Sequence, residues 1–521
     1  LKVNKSPGPD KIHPRILNEL SKEVSFPLSL IFKCSWETSE LPEEWKCANI
    51  TALFKKGDKK QAGNYRPVSL TSIVCKVMES IVREHIVKHM KDNKLFSNKQ
   101  YGFIKGRSTV LQLLTVIDRW TEILDGGGII DVAYCDFMKA FDKVSHSKLL
   151  HKLKMYNFDD SYINWIKAFL YERKQRVIVN GESSEWRAVT SGIPQGSVLG
   201  PICFVLYIND MPDSISSGSE IYLFADDTKI FKEIRSIDNC KQLQSDIYDM
   251  KKWSDKWLLK FHPDKCKVMR IGRKNIEEFD YKLEKNALPM QKSNNEKDIG
   301  VIIDSKLSFD KHITEKVNKA NSIVGVIRRT FEYMDRNVFK TLFTSLVRPH
   351  IEYANQVWNP YLIKHVDMIE NVQKRATKQV PGLCNLSYEE RLRELDMPTL
   401  SYRRLRGDLI ETYKILHEEY DSDVANILVK SENNTTRGHN FKLFKKRPRL
   451  NVRKYSFCYR VVDLWNRLPK EVVEASSVFS FERRLDKLFR DQPIRFNYRE
   501  TVKLHGSFHE SDMEENEELV L

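Results

Sequence analysis

The sequence predicts an α+β fold, and three observations carry that prediction. Short apolar runs with the alternation of strands recur between residues 48 and 271, helical periodicity dominates beyond residue 310, and two of the apolar runs deliver aspartates at their ends. The chain has 521 residues, enough for more than one domain and a sizeable core.

Taken in order, residues 5–14 are Pro-rich and turn-forming, and residues 15–36 carry an amphipathic pattern. Residues 48–54 alternate as a strand and run into the basic loop 55–60, after which Asn64-Tyr-Arg66-Pro67 reads as extended, because Pro67 biases Arg66 away from helix. Ile73, Val74, Val77, Met78, Ile81 and Val82 recur at helical spacing. A second helix is predicted over 110–124, broken by Gly126-Gly-Gly128. The apolar run 130–135 then delivers Asp136, and helical patterns follow over 145–153 and 163–170. Residues 176–181 and 185–189 read as paired strands, and the glycine-containing loop around Gln195 and Gly196 enters an apolar helix over 199–208. Ile221, Leu223 and Ala225 alternate with Tyr222 and Phe224, and Ile230 and Phe231 resume the pattern, as a hairpin with Asp226 and Asp227 at its tip requires. A helix over 238–258 and a strand over 259–271 follow. Apolar stripes over 317–333, 338–358 and 368–380 predict three long helices. The stretch 442–454 is basic with Phe441, Phe444 and Tyr455 interleaved, which suits either nucleic acid or a solvated loop. Residues 510–518 form an acidic tail expected to be disordered.

Asp226-Asp227 alone needs no function, since aspartate supplies turn chemistry. A second strand ending in Asp136 changes the weighing. Carboxylates brought together raise each other's pKa unless a cation lies between them, and hard oxygen ligands suit Mg²⁺. Divalent ions in such a site serve phosphoryl transfer.

Three stretches in this order, Asp136-Phe-Met-Lys-Ala-Phe141-Asp142, Ser191-Gly-Ile-Pro-Gln195-Gly196-Ser-Val-Leu-Gly-Pro201 and Phe224-Ala-Asp226-Asp227, resemble the palm motifs of reverse transcriptases. More narrowly they resemble LINE-type retrotransposons without long terminal repeats, of the Jockey and chicken-repeat group, and the resemblance is strongest over 5–310. It implies a right-hand polymerase: fingers over 1–125, palm over 126–275, primer grip and helical thumb over 276–400, and a mostly helical basic extension over 401–521. The implied reaction is RNA-templated addition of deoxynucleoside triphosphates to a primer 3′-hydroxyl, with two Mg²⁺ ions, or Mn²⁺ in their place, on Asp136, Asp226 and Asp227. By the same resemblance the nucleotide meets Arg66, Lys55 or Lys56, Phe141 as the gate against ribose, Gln195, Gly196 and Lys265. Gln100-Tyr-Gly-Phe-Ile-Lys-Gly-Arg107-Ser-Thr109 resembles a finger motif that contacts template backbone, and residues 297–304 resemble primer-grip strands. Nucleic acid, as RNA template and as DNA primer or target, is further expected at Lys374, Arg375, Lys378, Lys445, Lys446, Arg447 and Arg449. His262 stands where many relatives have Asn. A group II intron or telomerase-type enzyme would share the palm, an inactive RNA-binding relic would lose a metal-binding aspartate, and a viral RNA polymerase usually has Gly where this chain has Ala225. The resemblance also implies a nuclear or cytoplasmic ribonucleoprotein.

Charge agrees with a polyanionic partner: 86 Lys and Arg stand against 71 Asp and Glu, a net +15. The nine cysteines are scattered, odd in number and without a C-x-x-C pair, which argues for reduced thiols and against a structural zinc. His85 and His89 have helical ligand spacing but no third ligand, so they read as surface residues. No apolar run is long enough to span a bilayer, and no signal peptide is visible. The chain opens on Leu1 rather than Met, as a piece of a longer reading frame would.

Overall fold

The computed structural model describes residues 2–272, 276–431 and 438–504; the acidic tail expected over 510–518 lies outside them. A five-stranded sheet carries the strands that lead to Asp136, Asp226 and Asp227. Its central strand β3 (Ile129–Cys135) is antiparallel to β8 (Asp227–Ile234) and to β9 (Lys267–Ile271), β7 (Glu220–Phe224) closes a hairpin with β8, and β10 (Gln291–Lys292) lies at the far edge. Alternate side chains of one strand face opposite ways, so Ile130 and Val132 join a core with Trp120 and Phe231, while Ile129, Ala133 and Cys135 join another with Phe204 and Leu206. This double burial is why residues 130–135 read as a continuous apolar run. The one acid inside it, Asp131, is buried and held by Nε and Nη2 of Arg270, each at 2.7 Å, and by the Tyr281 hydroxyl at 2.8 Å.

A second sheet carries the basic loop. Its strand β1 (Cys47–Phe54) pairs antiparallel with β2 (Tyr65–Thr71) and parallel with β4 (Lys174–Val179), which also takes the short β5 (Glu182–Ser183) and β6 (Arg187–Ala188). A separate hairpin joins β11 (Asn295–Asp298) to β12 (Val301–Asp304).

Most predicted helices form, with shifted ends. The 15–36 pattern is two helices, Pro14–Glu19 and Ser21–Thr38, and the last three stripes begin at Asp310–Thr330 and finish in Ile363–Thr377. The continuous helix predicted over 338–358 is broken. It consists of Arg336–Leu342, a π-turn Phe343–Val347, Arg348–Glu352 and, past Ala354 at φ +52°, Asn355–Trp358. Pro349 supplies no amide hydrogen and its ring clashes with the preceding turn, so the ladder loosens there. The strand predicted over 259–271 is likewise only Lys267–Ile271, because Pro263 opens a 3₁₀ turn, Pro263–Lys265. Beyond residue 400, the helices Leu400–Leu416 and Val478–Leu488 share a core with Thr109–Asp125. Among the described residues no helix is long and apolar enough to cross a membrane.

Candidate active site

The β7–β8 register pairs Phe224 with Asp227, leaving Ala225 and Asp226 as the two-residue tip. Ala225 sits at φ +53°, a region Gly enters more easily than Ala. What holds it there is Gln100, fully buried, whose Oε1 accepts the Ala225 amide at 2.9 Å and the Gly102 amide at 2.7 Å. The 99–101 backbone lies beside β7, with Leu223 N donating to Lys99 O and Tyr101 N to Leu223 O, both at 2.8 Å. Gly102 must be Gly, since a Cβ there would lie 2.4 Å from Ala225 N. The motif expected to touch template therefore braces the aspartate hairpin. Arg107 is corrected with it: its side chain is 2% exposed, ion-paired with Asp421 at 2.9 Å and bonded to the carbonyls of Ser97 and Gln100. A guanidinium so enclosed has no face left for a phosphate.

The β3–β8 register pairs Cys135 with Thr228, which sets Asp136, just past β3, beside the hairpin tip. Lys265 Nζ lies 2.7 Å from Asp136 Oδ2, and its turn hangs from the site because His262 N donates to Asp136 O at 2.8 Å. Withdrawal from water and the charge of Asp136 push the Asp226 carboxyl up, against the opposing pull of Arg66 and Lys55. Withdrawal from water, then the charges of Asp226, Asp298 and Asp136, push Asp227 up to about 6. Behind Asp227, Lys229 and Asp298 form a buried ion pair that ties β8 to the β11–β12 hairpin. That hairpin's turn, Ile299 and Gly300 at positive φ, is itself anchored by the Tyr353 hydroxyl, which donates to Ile299 O at 2.8 Å.

A cavity of ≈ 560 Å³ opens over these groups, and its lining includes Lys55, Lys56, Asp136, Asp227, Lys265 and Asp298. Oxygen donors and mutual carboxylate repulsion are the chemistry that a hard divalent cation relieves, so the donor set fits Mg²⁺. Among the described residues, however, no three His, Cys, Asp or Glu side chains close into a ligand cage, and Lys265 occupies the cationic place beside Asp136.

The loop expected to meet the nucleotide is fixed from behind. Gly196, at φ +125°, passes so near β2 that a Cβ would lie 2.5 Å from Ser69 O, and Ser69 N donates to Gln195 O at 2.7 Å. Buried Glu79, from the helix Ile73–Asp92, accepts the amides of Val198 at 2.6 Å and Leu199 at 3.0 Å where the helix Gly200–Ile208 begins. The Gln195 side-chain amide donates to Asp142, on the short helix Ala140–Lys143, at 3.2 Å, so it ties the loop to that helix. Half-buried Phe141 stacks on Phe204 with centroids 4.7 Å apart. Arg66, Lys55 and Lys56 are exposed on the neighbouring β1–β2 hairpin.

The basic residues named from the sequence divide. Arg375, Lys378, Lys446, Arg447 and Arg449 are exposed and Lys374 is half-buried, while Lys445 pairs with Asp463. Arg449 is also anchored through its amide to Asp125 at 2.8 Å, Phe441 stacks on His417 and Tyr455 on Tyr361, which leaves Phe444 as an outward ring. His89, read from the sequence as a surface residue, is half-buried and bonds the Tyr156 carbonyl at 2.8 Å. Sequence reading missed Gln100, Glu79, Lys229 and Asp298 as supports of the site. For Glu79 the signal was present, a carboxylate on the apolar face of an amphipathic helix.

Comparison with known proteins points the same way. The family model described as "Reverse transcriptase (RNA-dependent DNA polymerase)" matches residues 55–310, which include all three aspartates. The probable RNA-directed DNA polymerase from transposon X-element of Drosophila melanogaster is 27% identical over 387 residues, covering 73% of this chain and 42% of that protein. The RNA-directed DNA polymerase from mobile element jockey of the same organism is 27% identical over 397 residues, covering 73% and 43%. The chain thus spans less than half the length of these curated relatives. A telomerase structure from Candida albicans, in complex with a telomeric RNA fragment, aligns over 69% of this chain and 68% of its own at 12% identity and TM-score 0.37.

Proposed function

Residues 55–310 are a reverse transcriptase domain of the type found in retrotransposons without long terminal repeats, and from that premise we propose that the chain copies RNA into DNA during target-primed retrotransposition. A primer 3′-oxygen forms a bond to the α-phosphorus of a deoxynucleoside triphosphate, the bond from that phosphorus to the bridging oxygen of the β-phosphate breaks, the hydroxyl proton is released and pyrophosphate leaves. The observation that carries the reading is the meeting of Asp136 and the Asp226-Asp227 tip on adjacent strands, with both tip carboxyls pushed up.

In this reading Asp136, Asp226 and Asp227 would hold two divalent cations. Mg²⁺ bound there, or Mn²⁺ in its place, would supply positive charge that favours a 3′-alkoxide and offsets the charge of departing pyrophosphate. Arg66 and one of Lys55 and Lys56 share the triphosphate charge from the β1–β2 hairpin, and Lys265 moves from Asp136 to phosphate when the site fills. Gly196 and the Gln195 backbone shape the floor under the nucleotide, and Phe141 blocks a 2′-hydroxyl. We assign fingers to 1–125, palm to 126–275, primer grip and thumb to 276–400 and an extension to 401–521. Lys374, Arg375, Lys378, Lys446, Arg447 and Arg449 supply phosphate contacts to template and primer. Retention of all three aspartates favours an enzyme over a non-catalytic relic. Extension of a DNA primer on an RNA template with Mg²⁺, abolished by chelation, tests the reading; an absence of extension with Mg²⁺ and with Mn²⁺ contradicts it.

A further inference from the structure

A second cleft is larger than the one over the aspartates. It measures ≈ 1160 Å³ and lies between the helices Leu400–Leu416 and Val478–Leu488 and the turn Pro493–Arg495. Eight basic side chains line it against four carboxylates, and six of the eight are arginine. It shares no lining residue with the active-site cavity.

Its carboxylates hold guanidinium groups in fixed orientations. Asp486 takes Arg406 through two bonds of 2.6 and 2.9 Å, and Asp396 takes Arg495 at 2.8 Å. Arginines held in this way keep further N–H groups in a planar fork matched to phosphate oxygens. Across the cleft, Arg483 on the helix Val478–Leu488 and Arg490 in the turn just past its end are both exposed, and neither has a carboxylate partner among the described residues. Arg483 lies 6.0 Å over the ring of Phe479, and that ring is 71% exposed. Oriented forks, unneutralised cations and an outward aromatic ring together match a strand that offers phosphates and bases in alternation.

We propose that this cleft binds the phosphodiester backbone of a single nucleic-acid strand at a place separate from the active site. The choice of nucleic acid as occupant rests on the polymerase reading, whose template RNA and target DNA are the two sources of such a strand. Binding of a labelled single-stranded RNA oligonucleotide, and of DNA of the same sequence, to the full chain across a salt series tests it. Arg483→Gln with Arg490→Gln should weaken binding of at least one strand several-fold and lower the slope of log affinity against log salt by about 1.4, at roughly 0.7 for each phosphate no longer neutralised. Arg483→Lys with Arg490→Lys should keep the slope, and extension of a short saturating primer–template should survive in both variants. The RNA and DNA arms tell which strand is held. Unchanged affinity and slope for both strands in the glutamine variant would overturn the proposal. A wild-type chain that extends no primer yet shows the slope change would overturn the polymerase reading and leave the cleft standing.

Discussion

Phe141 illustrates how one side chain serves packing and selection together. Its stack on Phe204 makes it a core residue, while the part of the ring left exposed is what an incoming nucleotide meets in the proposed reaction. Phe141→Val should cost about 1–3 kcal/mol of stability through lost packing, yet still incorporate deoxynucleotides and admit ribonucleotides more readily. Competition between the two triphosphates in primer extension measures this, and a folded variant with unchanged preference would leave Phe141 a packing residue alone. His312 gives a pH dependence that does not involve the site. It is buried, its Nδ1 accepts the Ile302 amide at 3.0 Å, and burial followed by the charges of Lys316 and Lys297 pushes it down to about 3. The folded pKa is below the unfolded one near 6.5, so this stability is complete above that value and drains as pH falls, by up to about 1.4 kcal/mol per pH unit. Chemical unfolding between pH 7 and pH 4 should therefore show a steeper loss for the native chain than for His312→Asn; equal slopes would contradict the assignment. Such residues were only half legible. The aspartates announced themselves by ending apolar runs, whereas Gln195 and Arg107 read as free polar groups because their partners, Asp142 and Asp421, are supplied by the fold.

Between elements, the aspartate hairpin depends on two neighbours. On one side the Gln100–Gly102 segment holds the strained Ala225, and Gly102→Ala should destabilise the protein by roughly 1–3 kcal/mol through the clash with the Ala225 amide. Gly63→Ala is the internal control, since a Cβ there meets nothing within 4 Å. Equal melting temperatures for the two variants would refute the brace. On the other side, the Lys229–Asp298 pair ties the hairpin to β11. Lys229→Met alone strands a buried carboxylate and should cost about 3–5 kcal/mol, whereas Lys229→Met with Asp298→Leu should recover much of it. Denaturant unfolding of the single and double variants reads this, and a double variant as unstable as the single one would contradict the pairing. The strands here were legible because alternation survives burial, as in β7 and β8. The broken helix after Phe343 was not, because its apolar stripe continues past Pro349 while the backbone ladder does not.

Across the whole molecule, the sequence suggested a body followed by an extension, and the structure joins them. Arg107 reaches Asp421 and buried Arg453 reaches Asp118, contacts 314 and 335 positions apart that no local pattern records. The helix Thr109–Asp125 thus packs on β3 and also receives Arg449 and Arg453, so the region beyond residue 440 bears, through this helix, on the strand that ends at Asp136. In the proposed reaction such a scaffold has one purpose, to hold Asp136 and Asp226 close enough for divalent cations to bind between them. The most direct measurement is RNA-templated primer extension with Mg²⁺ by the native chain and by Asp226→Asn, with primer–template affinity determined in parallel. A catalytic metal on Asp226 predicts at least a thousandfold loss of extension with affinity nearly unchanged, a transition-state effect of about 4 kcal/mol. Extension at the native rate by Asp226→Asn would contradict it.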